Sequence, residues 1–429
     1  MSKRRSVGGK SGTLNILQIV QRYPPALGGS EKYFQKMAHF LIGKGHQVSV
    51  WTSNALDLEA FWSNHGKTLP EGTFVEEGIE VRRFKLLKLP LQRQILRILS
   101  KIPIRPWQAL SFGHNPIMPQ MWRECSKAQF KFDAIHAGCF PYAFPVWMAA
   151  RLSKKLKVPL LITPFLHLGN LDNPGNKVRR GYTHPALAKL LMKADAVFVQ
   201  THAEFQAVEE LGVTTTRIHL QGMGVDLNEC TGGDPVAGKN RWGGKNVPII
   251  GHLANLSWDK GSTDLLTACE ILWKQGLDFQ LVLAGPSMPS FEKTWERFPL
   301  KQKVIRTGPL SPEEKKDFFA SIDLFALPSR SDSFGIVLLE AWANAKPCVV
   351  YKAGGPGSLV QHLKDGLVCA CDNISALASS LENLLKDESL RQQLGSNGQS
   401  RIPCQFDWQG KLSIFEEVAL QLISGEDSA

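Results

Sequence analysis

Short apolar runs alternate along the chain with stretches whose apolar positions recur every three or four residues. In the first half the runs are "LNILQIV", "QVSVWT", "IEVRRF", "FDAIHA", "PLLIT", "AVFVQ" and "RIHL". In the second half they are "VPIIGHL", "FQLVLAG", "KVIRTG", "DLFALPS", "PCVVY" and "GLVCA". Apolar runs of this length predict strands buried on both faces, and the 3.6-residue period between them predicts helices. The alternation predicts an α/β chain with parallel sheets covered by helices on both sides. Between the two series lies Gln221 to Asn246, "QGMGVDLNECTGGDPVAGKNRWGGKN", which has seven glycines and little apolar content. That composition predicts a linker or hinge. Two doubly wound, Rossmann-like domains are therefore expected, over residues 1–224 and 225–409.

Composition narrows the class. Among 429 residues, 43% are hydrophobic and 21% charged, the balance of a globular protein rather than a disordered one. No apolar run reaches 18 residues, so no membrane-spanning helix is expected. The seven-residue apolar run Leu14 to Val20 ends at Gln21-Arg22 without a small-residue cleavage site, which argues against a signal peptide. The start is read as a short disordered arm followed by a first strand. The eight cysteines are scattered, and Cys369 and Cys371 have the wrong spacing for a zinc site, so reduced thiols in the cytoplasm are expected.

The net charge of +11 is uneven. Residues 1–224 carry 30 Lys+Arg against 14 Asp+Glu, whereas residues 225–429 carry 20 against 25. The densest part is "VRRFKLLKLPLQRQILRILSKIPIRPW", residues 81–107, and no acidic residue occurs from Val81 to Arg123. Leucines and isoleucines interleave with these cations. The pattern suits an anionic membrane surface or a lipid-linked molecule, or else an amphipathic helix packed on its own domain. It lacks a nucleic-acid-binding motif and has few aromatic residues, so nucleic acid is not an expected partner.

In open α/β sheets ligands bind beyond the C-terminal ends of the strands, and three loops there are unusual. After the first strand, Gly28-Gly29 precedes Ser30, a good helix cap. This reads either as an anion-binding helix start or as a turn needing glycine freedom. The fingerprint G-x-G-x-x-G is absent, so a nicotinamide dinucleotide has little support. In "GHLANLSWDKGSTDLL", Lys260-Gly261 precedes a helix capped by Ser262. Lys260 is placed for phosphate or is a solvated surface lysine, and His252 is a ligand contact or a core histidine. In "SRSDSFGIVLLEAWANAKP", Gly335 opens an almost wholly apolar helix that carries Glu340 two turns in. A buried carboxylate needs a partner. A ribose diol satisfies that need, and so does an internal Lys or Arg.

Taken together, these segments resemble the retaining group 1 glycosyltransferases of family 4, over nearly the whole chain. The likeness is carried by "PPALGGSEKYFQKMAHFLIGKGHQVSVWT", "ADAVFVQTHAEFQAVEELGV" followed by "GMGVD", "DKGSTDLL", "LPSRSDSFGIVLLEAWANAKPCVVYKAGG" and "LRQQLGSNGQSRIPCQFDW". The resemblance implies the GT-B fold, with the two domains facing each other across a cleft and a terminal helix of about 410–429 packing back on the first. It implies that Asp332 contacts hydroxyls of a donor sugar and that Glu340 holds the nucleotide ribose. It also implies that amides around Ser333, Phe334 and Gly335 hold sugar and diphosphate, and that Lys260 neutralises the diphosphate. Gly28 and Gly29 would border phosphate and acceptor, and His167 would lie near the donor sugar. Asp332 stands where the family usually has Glu, and His252 where it usually has Arg. His252, or an arginine from elsewhere, would then supply the second phosphate-binding cation.

The reaction implied is transfer from a nucleotide-diphosphate sugar to a hydroxyl of a glycan or lipid-linked acceptor. No cofactor or metal is expected, because Lys260 and a helix start can stabilise the leaving diphosphate and no metal-ligand motif is present. Residues 81–107 would meet an anionic membrane, which puts the protein in the cytoplasm or at the inner face of a membrane. A nucleotide-sugar isomerase or a phosphorylase is the alternative within the fold. A non-catalytic sugar-nucleotide-binding scaffold is the alternative from another class.

Overall fold

A computed structural model describes residues 12–127, 129–243 and 247–425. The expected disordered arm falls on residues 1–11, and these lie outside the described residues, as does the end of the expected linker.

The first domain holds eight strands: β1 (Asn15–Ile19), β2 (Gln47–Ser53), β3 (Gly72–Glu76), β4 (Ile79–Phe84), β5 (Ala134–Ala137), β6 (Leu160–Ile162), β7 (Ala196–Val199) and β8 (Ile218–Leu220). Their order is β3-β4-β2-β1-β5-β6-β7-β8. The second domain holds six: β9 (Ile249–Leu253), β10 (Gln280–Ala284), β11 (Val304–Gly308), β12 (Leu324–Leu327), β13 (Cys348–Tyr351) and β14 (Gly366–Cys369), in the order β11-β10-β9-β12-β13-β14. Every pairing is parallel except β3 with β4. Strands β5, β7, β12 and β13 are buried at every position, as unbroken apolar runs require when helices cover both faces.

The antiparallel edge strand β3 is absent from the sequence reading. Its hairpin turns through Glu77 and Gly78, both at positive φ, as two-residue hairpin loops demand. One face lies open to solvent, so the strand shows no apolar run.

Chain order reverses at β1/β5 in the first sheet and at β9/β12 in the second. Each reversal opens a crevice at the C-terminal strand ends, where ligands bind in such sheets. The two crevices face one another.

The expected linker is partly helical. Leu227–Cys230 and Pro235–Arg241 are short helices, capped by the side chains of Asp226 and Asp234. Glycine here serves close packing: a Cβ on Gly238 would strike Ser321, and one on Gly233 would strike the Lys316 backbone. The chain crosses between domains twice, side by side. Val225 donates its amide to the Phe406 carbonyl at 2.9 Å, and Gly224 packs directly on Trp408. The helix Trp408–Ser424 then lies on the first domain. There the Phe415 ring is 4.4 Å from His136 and 4.9 Å from Phe198, and Glu416 meets His46 at 3.0 Å. Lys32 and Lys36 of the helix Gly29–Gly43 pair with Glu229, and Lys36 also with Asp226, which ties the crossing to the first domain. All eight cysteines are free, and six are buried.

Candidate active site

The loops after β1, β9 and β12 enclose a cavity of about 200 Å³ between the domains. Of the residues singled out above, Gly29, Ser30, Lys260, Asp332, Ser333, Phe334 and Gly335 line it. Three others lie nearby but do not line it, and one lies behind it.

Lys260 and Asp332 form the polar centre. Lys260 Nζ donates to Asp332 Oδ2 at 2.6 Å and to the Ser331 carbonyl at 3.3 Å. The two side chains are 25% and 19% exposed, so the pair is only partly screened by water. Burial opposes ionisation of Asp332, but the Lys260 ammonium outweighs it and holds the carboxyl below its usual range. The turn that presents Lys260 depends on Gly261, at φ 72, because a Cβ there would overlap the Pro328 carbonyl. The helix begins at Ser262 itself, and Gly261, not Ser262, is its cap.

The helix Ile336–Ala343 starts beside this pair. Gly335 caps it in the left-handed region at φ 87, which an L side chain rarely adopts. The amides of a first helical turn lack intrahelical acceptors, and Ile336 and Val337 line the cavity. The Phe334 ring itself is buried; its amide makes a long 3.5 Å contact to Asp332 Oδ1.

Glu340 takes the alternative partner left open by the sequence. It is 4% exposed, and Oε1 accepts from Lys315 Nζ at 2.6 Å. Lys315 lies on the helix Pro312–Ser321, in a sequence, "PEEKKDFFAS", that gives no sign of the contact.

His167 reaches across from the first domain. Its Nδ1 is 2.8 Å from Ser331 Oγ, and its ring stacks on Tyr182 at 4.6 Å. Burial lowers its pKa to about 4, so the imidazole is neutral at pH 7. Next to it, Gly354 donates to the Gly169 carbonyl at 2.8 Å and Leu171 to the Lys352 carbonyl at 3.1 Å. The domains thus meet at this rim.

The glycine loop rests on a buried ion pair that sequence reading missed. Arg22 Nη2 meets Glu31 Oε1 at 2.7 Å, and Ser30 Oγ donates to Glu31 Oε2 at 2.8 Å. A Cβ on Gly28 would collide with the Glu31 carboxylate. The helix begins at Gly29, so Ser30 is not its cap. Gly28 faces a separate groove with Pro25, Leu27 and Lys32. A buried arginine and glutamate nine residues apart, bracketing a glycine pair, were visible signals of this brace.

His252 corrects the donor-binding set. It is fully buried behind the cavity, with Nδ1 against the Ala326 carbonyl and Nε2 against Ser262 Oγ, both at 2.8 Å. Burial lowers its pKa to about 4. A neutral imidazole with both nitrogens engaged is no phosphate-binding cation; it braces the turn that carries Lys260. Arg330 does not replace it, since it is consumed by Asp264 and Asp372 and stacks on Trp258. Among the described residues, no three His, Cys, Asp or Glu side chains converge as a metal-ligand set.

Comparison with known proteins places the chain in a family and a fold. Residues 28–224 match the family model described as "Glycosyl transferase 4-like domain", and residues 239–401 match "Glycosyl transferases group 1". The alpha-D-kanosaminyltransferase of Streptomyces kanamyceticus is 30% identical over 37% of this chain and 42% of its own length. The D-inositol 3-phosphate glycosyltransferase of Corynebacterium urealyticum is 30% identical over 47% and 51%. These two matches thus span about half of each relative. The glycogen synthase of Mycobacterium tuberculosis is 23% identical over 96% of both chains. Among solved structures, sucrose-phosphate synthase from Thermosynechococcus elongatus superposes with a TM-score of 0.71 at 18% identity, over 96% of this chain and 100% of its own. Anabaena HepE, solved with UDP and glucose, gives 0.69 at 21% identity over the same shares. The fold is GT-B, and the chain belongs to the group 1, GT4-type glycosyltransferases.

Proposed function

We propose that the protein transfers a glycosyl group from a nucleotide-diphosphate sugar to an acceptor hydroxyl, with retention of configuration and without a bound metal ion. The observation that carries this reading is the Lys260–Asp332 pair beside the Gly335-capped helix start, inside the cavity where the two sheet edges meet. Breaking a glycosyl–phosphate bond develops negative charge on the diphosphate. An ammonium and first-turn amides stabilise that charge, and the amides are already fixed in place by the helix start. Donor phosphates would draw Lys260 away from Asp332, whose freed carboxylate would accept a hydroxyl of the donor sugar. His167, neutral and held through Nδ1, would keep Nε2 for the donor.

On this reading the bond from the anomeric carbon to the leaving oxygen breaks as the acceptor oxygen bonds the same face. The leaving phosphate takes the acceptor proton. Glu340 would hold the ribose, sharing its carboxylate with Lys315. The acceptor is a glycan or lipid-linked hydroxyl met at the inner face of a membrane, a reading favoured by the exposed apolar residues of 89–107.

The test is a donor panel with purified protein. Release of nucleoside diphosphate, by transfer or slow hydrolysis, supports the transferase. Epimerised donor without release indicates an isomerase. Donor binding without turnover under any acceptor indicates a scaffold.

A further inference from the structure

The helix Gln92–Leu99 is amphipathic, yet its apolar side is not packed on the domain. Leu91 is 68% exposed, Ile98 66% and Trp107 57%, and Leu89, Ile95 and Ile102 join them. Scattered exposed apolar residues are ordinary, but with Leu99 and Ile104 there are eight within nineteen positions of one surface segment, which is not. Arg97 and Lys101 lie among them and are exposed.

Beside this patch is a cavity of about 680 Å³ lined by Lys85, Lys88 and Arg123, with Leu86, Leu87 and Pro119 as its apolar wall. Among the described residues, no carboxylate lies within ion-pair distance of these three cations. Glu71 is the one acidic residue in the lining. Neighbouring cations are neutralised within the fold: Arg82 pairs with Glu124 and Arg83 with Glu76. The cavity cations are therefore set apart.

Position gives the patch a purpose. Lys85–Lys88 directly follows β4, so the patch lies on the same sheet edge as the loop after β1. Gly113 packs under Arg93 and Arg97, and His114 beside it meets the Pro141 carbonyl in the loop after β5 at 3.0 Å. That is the edge facing the cleft.

We infer that residues 85–123 form a docking surface for an anionic lipid bilayer, in which the exposed side chains of 89–107 enter the acyl boundary and the Lys85/Lys88/Arg123 cavity seats an anionic headgroup. Apolar area plus cation attraction is the combination that holds a protein in a membrane interface. The inference rests on the transferase reading in one respect: a membrane-borne acceptor would enter the cleft across this edge.

The experiment is co-sedimentation of the full chain at low salt with vesicles of equimolar phosphatidylglycerol and phosphatidylcholine, and with vesicles of phosphatidylcholine alone. The wild type should bind the anionic vesicles and not the neutral ones. Joint Lys85→Ala, Lys88→Ala and Arg123→Ala should lower the partition constant roughly a hundredfold, about fivefold per cation. Ile98→Ser should lower it about tenfold. Donor hydrolysis without vesicles should be unchanged in each variant, which also shows that they fold. Wild type that fails to bind anionic vesicles, or a triple variant that binds as wild type does, overturns the docking surface. So does triple-sensitive binding of inorganic phosphate without vesicle binding, which would make the cavity a site for free phosphate. Vesicle binding without donor turnover would instead overturn the transferase reading and leave the surface standing.

Discussion

Replacing Lys260 by alanine tests the polar centre of the cleft. The substitution removes the ammonium 2.6 Å from Asp332 Oδ2 and leaves a carboxylate that is 19% exposed, unpaired, and next to the expected diphosphate position. Two effects follow. Pairs exposed to solvent contribute about 0–1 kcal/mol, and breaking a fully buried pair costs about 3–5 kcal/mol. At the partial exposure seen here the folding cost should be about 1–3 kcal/mol, small enough for the protein to fold. The catalytic cost is separate. Loss of a preorganised charge that stabilises a leaving group is worth about 3–4 kcal/mol, or roughly a hundred- to a thousandfold in kcat. Urea unfolding measures the first effect, and nucleoside diphosphate release at saturating donor measures the second. Asp332→Asn is the control. It frees Lys260 while keeping side-chain size, so donor binding should hold while transfer falls about tenfold or more. A Lys260→Ala protein whose kcat and donor KM stay within about threefold of wild type would refute the assignment, since no charge-stabilising role fits so small a change.

Two further predictions concern buried charge. Glu340→Gln should raise donor KM about tenfold or more, the value of a lost charged hydrogen bond, whereas Lys315→Ala should lower stability without raising KM. Equal stability losses with unchanged KM in both would mean that the pair is purely structural. Stability should also fall on mild acidification. Burial holds His136 at about 3 and His167 and His252 at about 4, so the unfolded chain takes up three protons near 6.5 that the native protein refuses. Glu204 acts in the opposite sense, because burial raises it to about 7 and the native state keeps a proton that the unfolded chain releases above 4.5. Two protons remain in the balance, so unfolding free energy should drop by roughly 2–3 kcal/mol per unit between about pH 6 and 5. Urea midpoints that stay level from pH 7 to 5 would contradict this.

Both sheets were legible because parallel strands buried on two faces leave unbroken apolar runs, as in "AVFV" and "CVVY". Strand β3 was not, because a solvent-facing edge hairpin leaves no such run. The short helices at Leu227–Cys230 and Pro235–Arg241 were hidden by glycines that read as linker but serve close packing. In the site, Lys260 and Gly335 stood out through local turn chemistry, and Asp332 through the family resemblance. The partners that decide how they act did not. Lys315 reaches Glu340 from 25 residues away, and Ser331 reaches His167 from 164 away. His252 illustrates the limit most clearly. A histidine at a strand end reads equally as ligand or core, and only the positions of Ala326 and Ser262 decide that it is core.

The central claim is that the cleft is built for a nucleotide-diphosphate sugar. A crystal structure of the protein with such a donor bound tests it most directly. The account predicts the diphosphate within hydrogen-bond distance of Lys260 Nζ and the amides of Ser333 to Gly335, with Lys260 drawn off Asp332 and the ribose on Glu340. A donor bound elsewhere, with the Lys260–Asp332 pair intact, would contradict it.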